Sequence, residues 1–218
     1  MNPWPRQLVK VCGIRTVEHA LTAAQAGADC IGMIFAPGKR QITPEQGRII
    51  VSALREAGHA TRAVGVFVNE TAAAINEIAD QAGLAIIQLS GDEPVELADL
   101  LGRPLLKALR LTENPSEQAW RDRAAGDERL RLLVDAHVAG SYGGAGVLAD
   151  WERAGALARQ SQIVLAGGLD PANVAAAIAS VRPWGVDVSS GVETGGIKDN
   201  AKIIAFVEAA QQALTQPI

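Results

Sequence analysis

The chain has 218 residues, of which 48% are hydrophobic and 20% charged, a balance typical of a folded globular protein rather than a disordered one. Its 20 basic and 24 acidic residues give a net charge of −4, and with only 4% aromatic residues the composition argues against a nucleic-acid partner. Because no apolar stretch reaches the roughly 18 residues of a membrane helix and the N-terminus lacks the apolar core of a secretion signal, we expect a cytoplasmic protein without a membrane partner.

Eight short runs rich in Val, Ile and Leu recur along the chain, and most of them are almost continuously apolar. Strands of a parallel sheet have this pattern when both of their faces are buried. We therefore predict strands over residues 8–14, 30–36, 62–68, 85–90, 105–111, 130–136, 162–168 and 185–191.

Segments with helical periodicity, many of them rich in alanine, lie between these runs. Thr43 and Pro44 are a typical N-cap and first helical residue, while Gly27, Gly58 and Gly83 are placed to end helices. The pattern predicts helices over residues 17–26, 44–57, 71–81, 94–101, 115–125, 148–158, 171–180 and 200–214.

Eight strands alternating with eight helices predict an α/β protein, and their regularity favours a closed (β/α)8 barrel of the TIM type. We expect one catalytic barrel domain over residues 1–218. An open, doubly wound sheet is the alternative, but the turn after the first strand, at Gly13, lacks the glycine pattern of a dinucleotide site. A barrel carries its chemistry at the C-terminal ends of its strands, so polar residues there become the candidates.

Cys12 lies near the end of the first predicted strand and shares a face with Lys10, because side chains alternate along a strand. A nearby ammonium group lowers the pKa of a thiol, which would make Cys12 a base or a nucleophile; the alternative is a small buried hydrophobic residue. Cys30 begins the second strand, at the opposite end of the barrel, where we expect an inert residue that forms no disulfide with Cys12.

Asp135 closes the sixth strand, where a carboxylate is costly to bury unless it is used or paired. It is therefore a candidate functional acid, or else a cap of the following loop. His137 is its candidate partner, or a surface residue. The glycine-rich segment 142–146 that follows suits a mobile lid or an ordinary long loop.

Two glycine and serine clusters end strands seven and eight. Barrels often bind phosphate there through backbone N–H groups, so we predict a phosphate site formed by Gly167, Gly168, Ser189, Ser190 and Gly191.

Arg40, in the loop after the second strand, could hold a carboxylate with two parallel hydrogen bonds, or it could be a solvated cation. The three histidines, His19, His59 and His137, do not have metal-ligand spacing, so we expect no metal. No lysine lies in a recognisable cofactor motif, although a Schiff base on Lys107 stays open.

Seven motifs occur in a fixed order and cover about residues 8 to 210. They are KVCGI at 10–14, VGVFVN at 64–69, QLSGDE at 88–93, LVD at 133–135, GGAG at 143–146, AGGL at 166–169 and DVSSGVE at 187–193, which leads to GIKD at 196–199. In these motifs the chain resembles the phosphoribosylanthranilate isomerase family of tryptophan biosynthesis.

The resemblance implies a (β/α)8 barrel that performs an Amadori rearrangement of a small phosphosugar–anthranilate substrate without a cofactor. It implies Asp135 as the general acid, Cys12 as the general base and Arg40 as the ligand of the anthranilate carboxylate. It implies that the two glycine and serine clusters bind the phosphate. We add Lys10 and Asp187 to the substrate-binding residues, and we expect a monomer or a homodimer.

For the chemistry to work, Asp135 must be protonated while Cys12 is a thiolate. We therefore expect burial to raise the pKa of Asp135 and Lys10 to lower that of Cys12. The chain departs from the family pattern at Ser90, where a histidine is usual, and in the loop at 37–39. The alternatives are another aminoaldose-phosphate isomerase of this barrel type, or a catalytically weakened phosphosugar-binding paralogue.

Overall fold

Eight parallel strands close into a barrel in chain order, with the last strand paired to the first. The computed structural model describes residues 4–111, 115–135 and 147–215, and of residues 147–150 only the backbone. The strands are β1 Leu8–Cys12, β2 Cys30–Ile34, β3 Arg62–Phe67, β4 Ile86–Leu89, β5 Leu105–Leu109, β6 Leu130–Asp135, β7 Ile163–Ala166 and β8 Gly185–Val188. The predicted barrel and all eight strands are confirmed.

Helices follow most of the strands and cover the outside of the barrel. They are α1 Val17–Gln25, α2 Pro44–Glu56, α3 Ala72–Ala82, α4 Pro115–Gly126, α5 Val147–Ala158, α6 Val174–Val181 and α7 Asn200–Thr215. Thr43 caps α2 as predicted, and its side chain and that of Gln46 satisfy each other's backbone N–H groups. In the described residues, none of these helices is long and apolar enough to cross a membrane.

Two predicted helices differ from the structure. The segment predicted over 94–101 is a 3-10 helix, Val95–Leu100, because Pro94 offers no side-chain cap and Gly102 ends the segment after six residues. The helix predicted from residue 171 begins at Val174. Before it, Asp170 and Asn173 form a turn in which each side chain accepts the other's backbone N–H.

The strands end earlier than predicted, most clearly where glycines follow them. Gly13, Gly167 and Gly168 have φ values of 78°, 91° and 65°, a left-handed conformation that ends the extended run. After β8 the chain makes a 3-10 turn, Ser190–Val192, and a two-stranded antiparallel hairpin, β9 Glu193–Thr194 with β10 Ile197–Lys198. This hairpin was not predicted.

Side-chain alternation divides the barrel interior into a lower apolar layer and an upper polar one. The lower layer contains Leu8, Cys30, Val64, Ile86, Leu106, Leu133 and Val164. Burial there raises the pKa of the Cys30 thiol to about 12, and Cys30 is free, as expected. Two residues further along each strand, the inward positions belong to Lys10, Gly32, Val66, Gln88, Ala108, Asp135, Ala166 and Asp187, and Cys12 lies two residues beyond Lys10. The fold thereby places polar groups at the C-terminal mouth.

Candidate active site

A buried ion pair joins Lys10 and Asp187 inside the barrel. The Nζ of Lys10 donates to Oδ1 of Asp187 at 2.9 Å, and the two residues are direct neighbours in the β1–β8 pairing. Burial alone would lower the pKa of Lys10, but the negative charges of Asp187 and Cys12 outweigh it and hold that pKa above its ordinary value. Lys10 is fully buried and is paired inside the barrel.

Cys12 lies beside this pair, at the C-terminal end of β1, and is 6% exposed. Burial raises the pKa of its thiol, and the charge of Asp187 adds to that effect. The charges of Lys10 and Lys198 act in the opposite direction. Lys10 thus lowers the pKa of Cys12 as expected, but the net direction is upward, because desolvation exceeds the attraction of the cation.

Asp135 ends β6 at the rim of the mouth, and its side chain lines the same cavity as Asp187. The carboxylate charge of Asp135 raises the pKa of Asp187, although burial is the larger cause. Asp135 is exposed, so the expectation of a buried acid is wrong. As the last residue of its strand, Asp135 lies above Leu133, which belongs to the lower apolar layer.

The glycine and serine clusters of strands seven and eight meet in the wall of a cavity of about 400 Å³ at the strand ends. Gly191 makes this possible, because a side chain there would collide with the backbone oxygen of Leu169. The cavity falls in the usual range for small-molecule sites and is lined by all five residues of the predicted phosphate site.

Arg40 is held by the carboxylate of Glu193, a residue for which no role was predicted. Its Nε donates to Oε1 of Glu193 at 2.7 Å and its Nη2 donates to Oε2 at 2.8 Å. Lys198, itself buried, donates to Oε1 of Glu193 at 2.9 Å and to the backbone oxygen of Ser189 at 2.7 Å. The interpretation of Arg40 as a solvated cation is therefore wrong. The pairing with Glu193 uses one edge of the Arg40 guanidinium, which has five N–H donors in all.

Gln88 is a further residue of the site that had no predicted role. It is 5% exposed, lines the cavity, and donates from Nε2 to Oγ of Ser90 at 3.0 Å. Its inward position on β4 follows from the same alternation that places Ile86 in the apolar layer. That alternation was the available signal, since Gln88 is a polar residue near the end of an apolar strand.

Several candidates do not join this site. Lys107 turns away from the barrel interior, and its Nζ donates at 2.6 Å both to Glu93 and to the backbone oxygen of Gly91. His137 and the segment 142–146 lie outside the described residues. Within the parts of the chain that the structure describes, no cluster of His, Cys, Asp and Glu is placed to hold a metal ion.

Known proteins share this arrangement over nearly the whole chain. The family model for N-(5'-phosphoribosyl)anthranilate isomerase matches residues 9–209. The isomerase of Roseiflexus castenholzii is 55% identical over 214 residues, which cover 94% of this chain and 99% of that relative. The crystal structure of the Thermotoga maritima isomerase has 36% identity and a TM-score of 0.82, over 94% of this chain and 99% of the other.

A further crystal structure of a phosphoribosylanthranilate isomerase, in complex with reduced 1-(o-carboxyphenylamino)-1-deoxyribulose 5-phosphate, has a TM-score of 0.78 and 34% identity. It also covers 94% of this chain, and 99% of its own length is matched. The match of the family model spans nearly the whole barrel, including the positions that line the cavity. The chain belongs to the N-(5'-phosphoribosyl)anthranilate isomerase family and is an aldose–ketose isomerase of tryptophan biosynthesis.

Proposed function

We propose that the isomerisation takes place in the cavity at the strand ends, with Cys12 as the general base and Asp135 as the general acid. The observation that supports this most directly is the convergence of three side chains at Gly13, the residue after Cys12. Arg40 Cδ, Ser189 Oγ and Lys198 Nζ lie 2.8, 3.3 and 3.5 Å from the Cβ position that Gly13 leaves empty. The proposed carboxylate ligand and part of the proposed phosphate site thus meet beside the proposed base.

The acid and the base act on different atoms of the sugar. Asp135 protonates the furanose ring oxygen, the C–O bond breaks, and the nitrogen lone pair forms a protonated Schiff base. The thiolate of Cys12 then removes the proton from C2, and the C–H electrons neutralise the iminium to give an enolamine. Proton transfer from the enol oxygen to C1 yields the ketose. The atoms of substrate and product are the same, so no cofactor enters the balance.

Asp187 couples the two catalytic side chains electrostatically. The charge of Asp187 raises the pKa of Cys12, and the charge of Asp135 raises the pKa of Asp187. Lys10 and Lys198 are the cations that favour the thiolate against the cost of burial. The iminium that forms when the ring opens adds positive charge near the thiol, so proton removal becomes easier at the step that needs it.

The two anionic ends of the substrate have separate sites in this proposal. Backbone N–H groups of the Gly167–Gly168 and Ser190–Gly191 turns hold the phosphate, since glycine lets the backbone approach the oxygens. The free edge of the Arg40 guanidinium holds the anthranilate carboxylate while Glu193 holds the other edge. Because a related isomerase was crystallised with the reduced product analogue, we expect this chain to bind that analogue too.

For the assembly we propose a cytoplasmic monomer or homodimer that accepts a small molecule. The description of the Thermotoga maritima isomerase as dimeric supports the homodimer. Analytical ultracentrifugation of the purified chain distinguishes the two states. A larger assembly at low micromolar concentration would contradict the proposal.

The direct test of the proposed site combines activity with ligand placement. The purified protein should convert phosphoribosylanthranilate, followed as loss of its fluorescence, and inorganic phosphate or sulfate should compete with the substrate. In a crystal soaked in sulfate, the ion should lie between Gly168 and Ser190. Sulfate bound elsewhere, with these two residues unoccupied, would refute the phosphate assignment.

A further inference from the structure

The cavity at the strand ends has an excess of acidic groups. Of its described lining residues, those with charged side chains are Asp135, Asp187 and Arg110. Lys10 offsets the charge of Asp187 across 2.9 Å. The substrate adds a carboxylate and a phosphate, and a phosphate ester carries about two negative charges near neutral pH. Because the whole chain also has a net charge of −4, a cation in the cavity wall acts on every anion that enters.

Arg110 is the cation in that wall. Its guanidinium makes no hydrogen bond or ion pair with any residue in the described parts of the chain, and the residue is exposed. Two other cations beside the site, Arg40 and Lys198, bind the carboxylate of Glu193 at 2.7 Å and 2.9 Å, and neither lines the cavity. Arg110 therefore offers the cavity a positive charge with which no described carboxylate is paired.

The backbone around Arg110 is held in a fixed conformation. The pairing of β5 with β6 places Arg110 beside Asp135 at the strand ends. The backbone N–H of Arg110 donates to Oε1 of Glu117, a buried residue, at 2.8 Å. The next residue, Leu111, is buried and has a φ of 58°, a left-handed conformation that is unusual for a leucine. Strain of this kind is typical of functional sites, where the surrounding contacts maintain it.

We propose that Arg110 supplies the positive charge that attracts and holds the phosphate of the substrate, an inference that rests on the proposed placement of the phosphate at the ends of β7 and β8. Backbone N–H groups of the glycine and serine turns orient the phosphate oxygens, but they carry only partial charges. The charge of Arg110 acts on the phosphate across the cavity that they share. Such an interaction is screened by salt, which gives it a specific experimental signature.

The test removes the charge with Arg110→Gln. At an ionic strength of about 0.1 M, KM for phosphoribosylanthranilate and the inhibition constant of inorganic phosphate should both rise about three- to tenfold, with little change in kcat. In the wild-type protein KM should rise between about 0.01 M and about 1 M sodium chloride, because the Debye length falls from about 30 Å to about 3 Å. The difference between variant and wild type should shrink over the same range.

Two further variants complete the design. Arg110→Lys keeps the charge and changes the donor geometry, so its phosphate inhibition constant should stay within about twofold of the wild-type value. Arg159→Gln removes the same charge from an exposed arginine just after α5, where the chain turns back towards the start of β7 at the other end of the barrel. That variant should leave both KM and the phosphate inhibition constant unchanged.

The outcomes separate the inference from the proposal on which it rests. Normal competition by phosphate in Arg110→Gln, whether or not KM rises, would overturn the role of Arg110 and leave the phosphate site standing. Equal effects of Arg110→Gln and Arg159→Gln would assign the attraction to the net charge of the chain and would also overturn the inference. A loss in kcat at unchanged KM would move Arg110 to the chemical step. Failure of phosphate to compete with the wild-type protein would instead overturn the proposed placement.

Discussion

The thiol of Cys12 occupies space that Gly32 leaves on the neighbouring strand. The two residues pair directly between β1 and β2, and a Cβ on Gly32 would lie 2.7 Å from Sγ of Cys12 and 3.1 Å from Cε of Lys10. Both distances are shorter than an ordinary van der Waals contact. The missing side chain at position 32 therefore allows the proposed base and its neighbouring cation to lie together in the barrel mouth.

We expect Gly32→Ala to lower kcat roughly 10- to 100-fold, because the added methyl group displaces the thiol from its position against the substrate. The measurement is kcat and KM with phosphoribosylanthranilate. Gly102→Ala is the matched control, since a Cβ there meets nothing within 4 Å. Wild-type kcat in Gly32→Ala would show that the position of Cys12 does not limit the reaction.

Replacement of the two proposed catalysts gives the most direct test of their roles. Cys12→Ser and Asp135→Asn should each lower kcat by about 10²–10⁴ and leave KM within a few-fold, because the phosphate and carboxylate contacts remain. Cys30→Ala should keep its kcat, since Cys30 lies in the lower apolar layer. If either site variant keeps more than about a tenth of the wild-type kcat, that residue is not the catalyst.

The strand-end rule explains why part of the site was predictable from the sequence. Parallel strands are apolar on both faces, so the polar residues that end them, such as Cys12 and Asp135, are recognisable in one dimension. Glu193 was not, because its partner Arg40 is 153 positions away and the two meet only through the hairpin after β8. The net pKa direction of Cys12 was missed for a similar reason: desolvation depends on what covers the thiol, and Lys10 was the only neighbour visible in the sequence.

Removal of the Asp187 charge should lower the pKa of the Cys12 thiol. The negative charge of Asp187 raises the pKa of the thiol, so Asp187→Asn should move thiolate formation to lower pH. The pH dependence of alkylation by iodoacetamide, in a Cys30→Ala background, measures this directly. The acid limb of kcat/KM should move the same way. A limb that moves to higher pH would contradict the assignment of that limb to Cys12.

Lys10→Met should shift the pKa of the Cys12 thiol in the opposite direction. The cation lowers the pKa of Cys12, so its removal should move alkylation to higher pH. Because Lys10→Met and Asp187→Asn each leave a buried charge without its partner, both should be less stable than a Lys10→Met/Asp187→Asn double variant. Shifts of the same sign in Asp187→Asn and Lys10→Met would show that the two charges do not act on the thiol as the geometry requires.

The pair of Arg40 and Glu193 should affect binding more than chemistry. Loss of the carboxylate charge frees Arg40 from the position beside Gly13 in which Glu193 holds it, so Glu193→Gln should raise KM about three- to tenfold with little change in kcat. Glu45→Gln is the matched control, because Glu45 makes the same kind of bidentate pair with Arg48 on the exposed surface of α2. A loss in kcat at unchanged KM would assign Glu193 to the chemical step.

The same variant should reveal the charge of Glu193 in the pH dependence of stability. Hydrogen bonds from Arg40, aided by Lys198, hold the pKa of Glu193 at about 2, below its ordinary value of 4.5. A carboxyl whose pKa is lower in the folded than in the unfolded state stabilises the protein fully above the ordinary value and loses that contribution as the pH falls towards the folded value. Glutamine does not titrate. The difference in Tm between wild type and Glu193→Gln should therefore stay constant from neutral pH to about pH 5.5 and shrink between about pH 4.5 and pH 2. A difference that is the same at pH 7 and pH 3 would mean that the pKa of Glu193 does not change on folding.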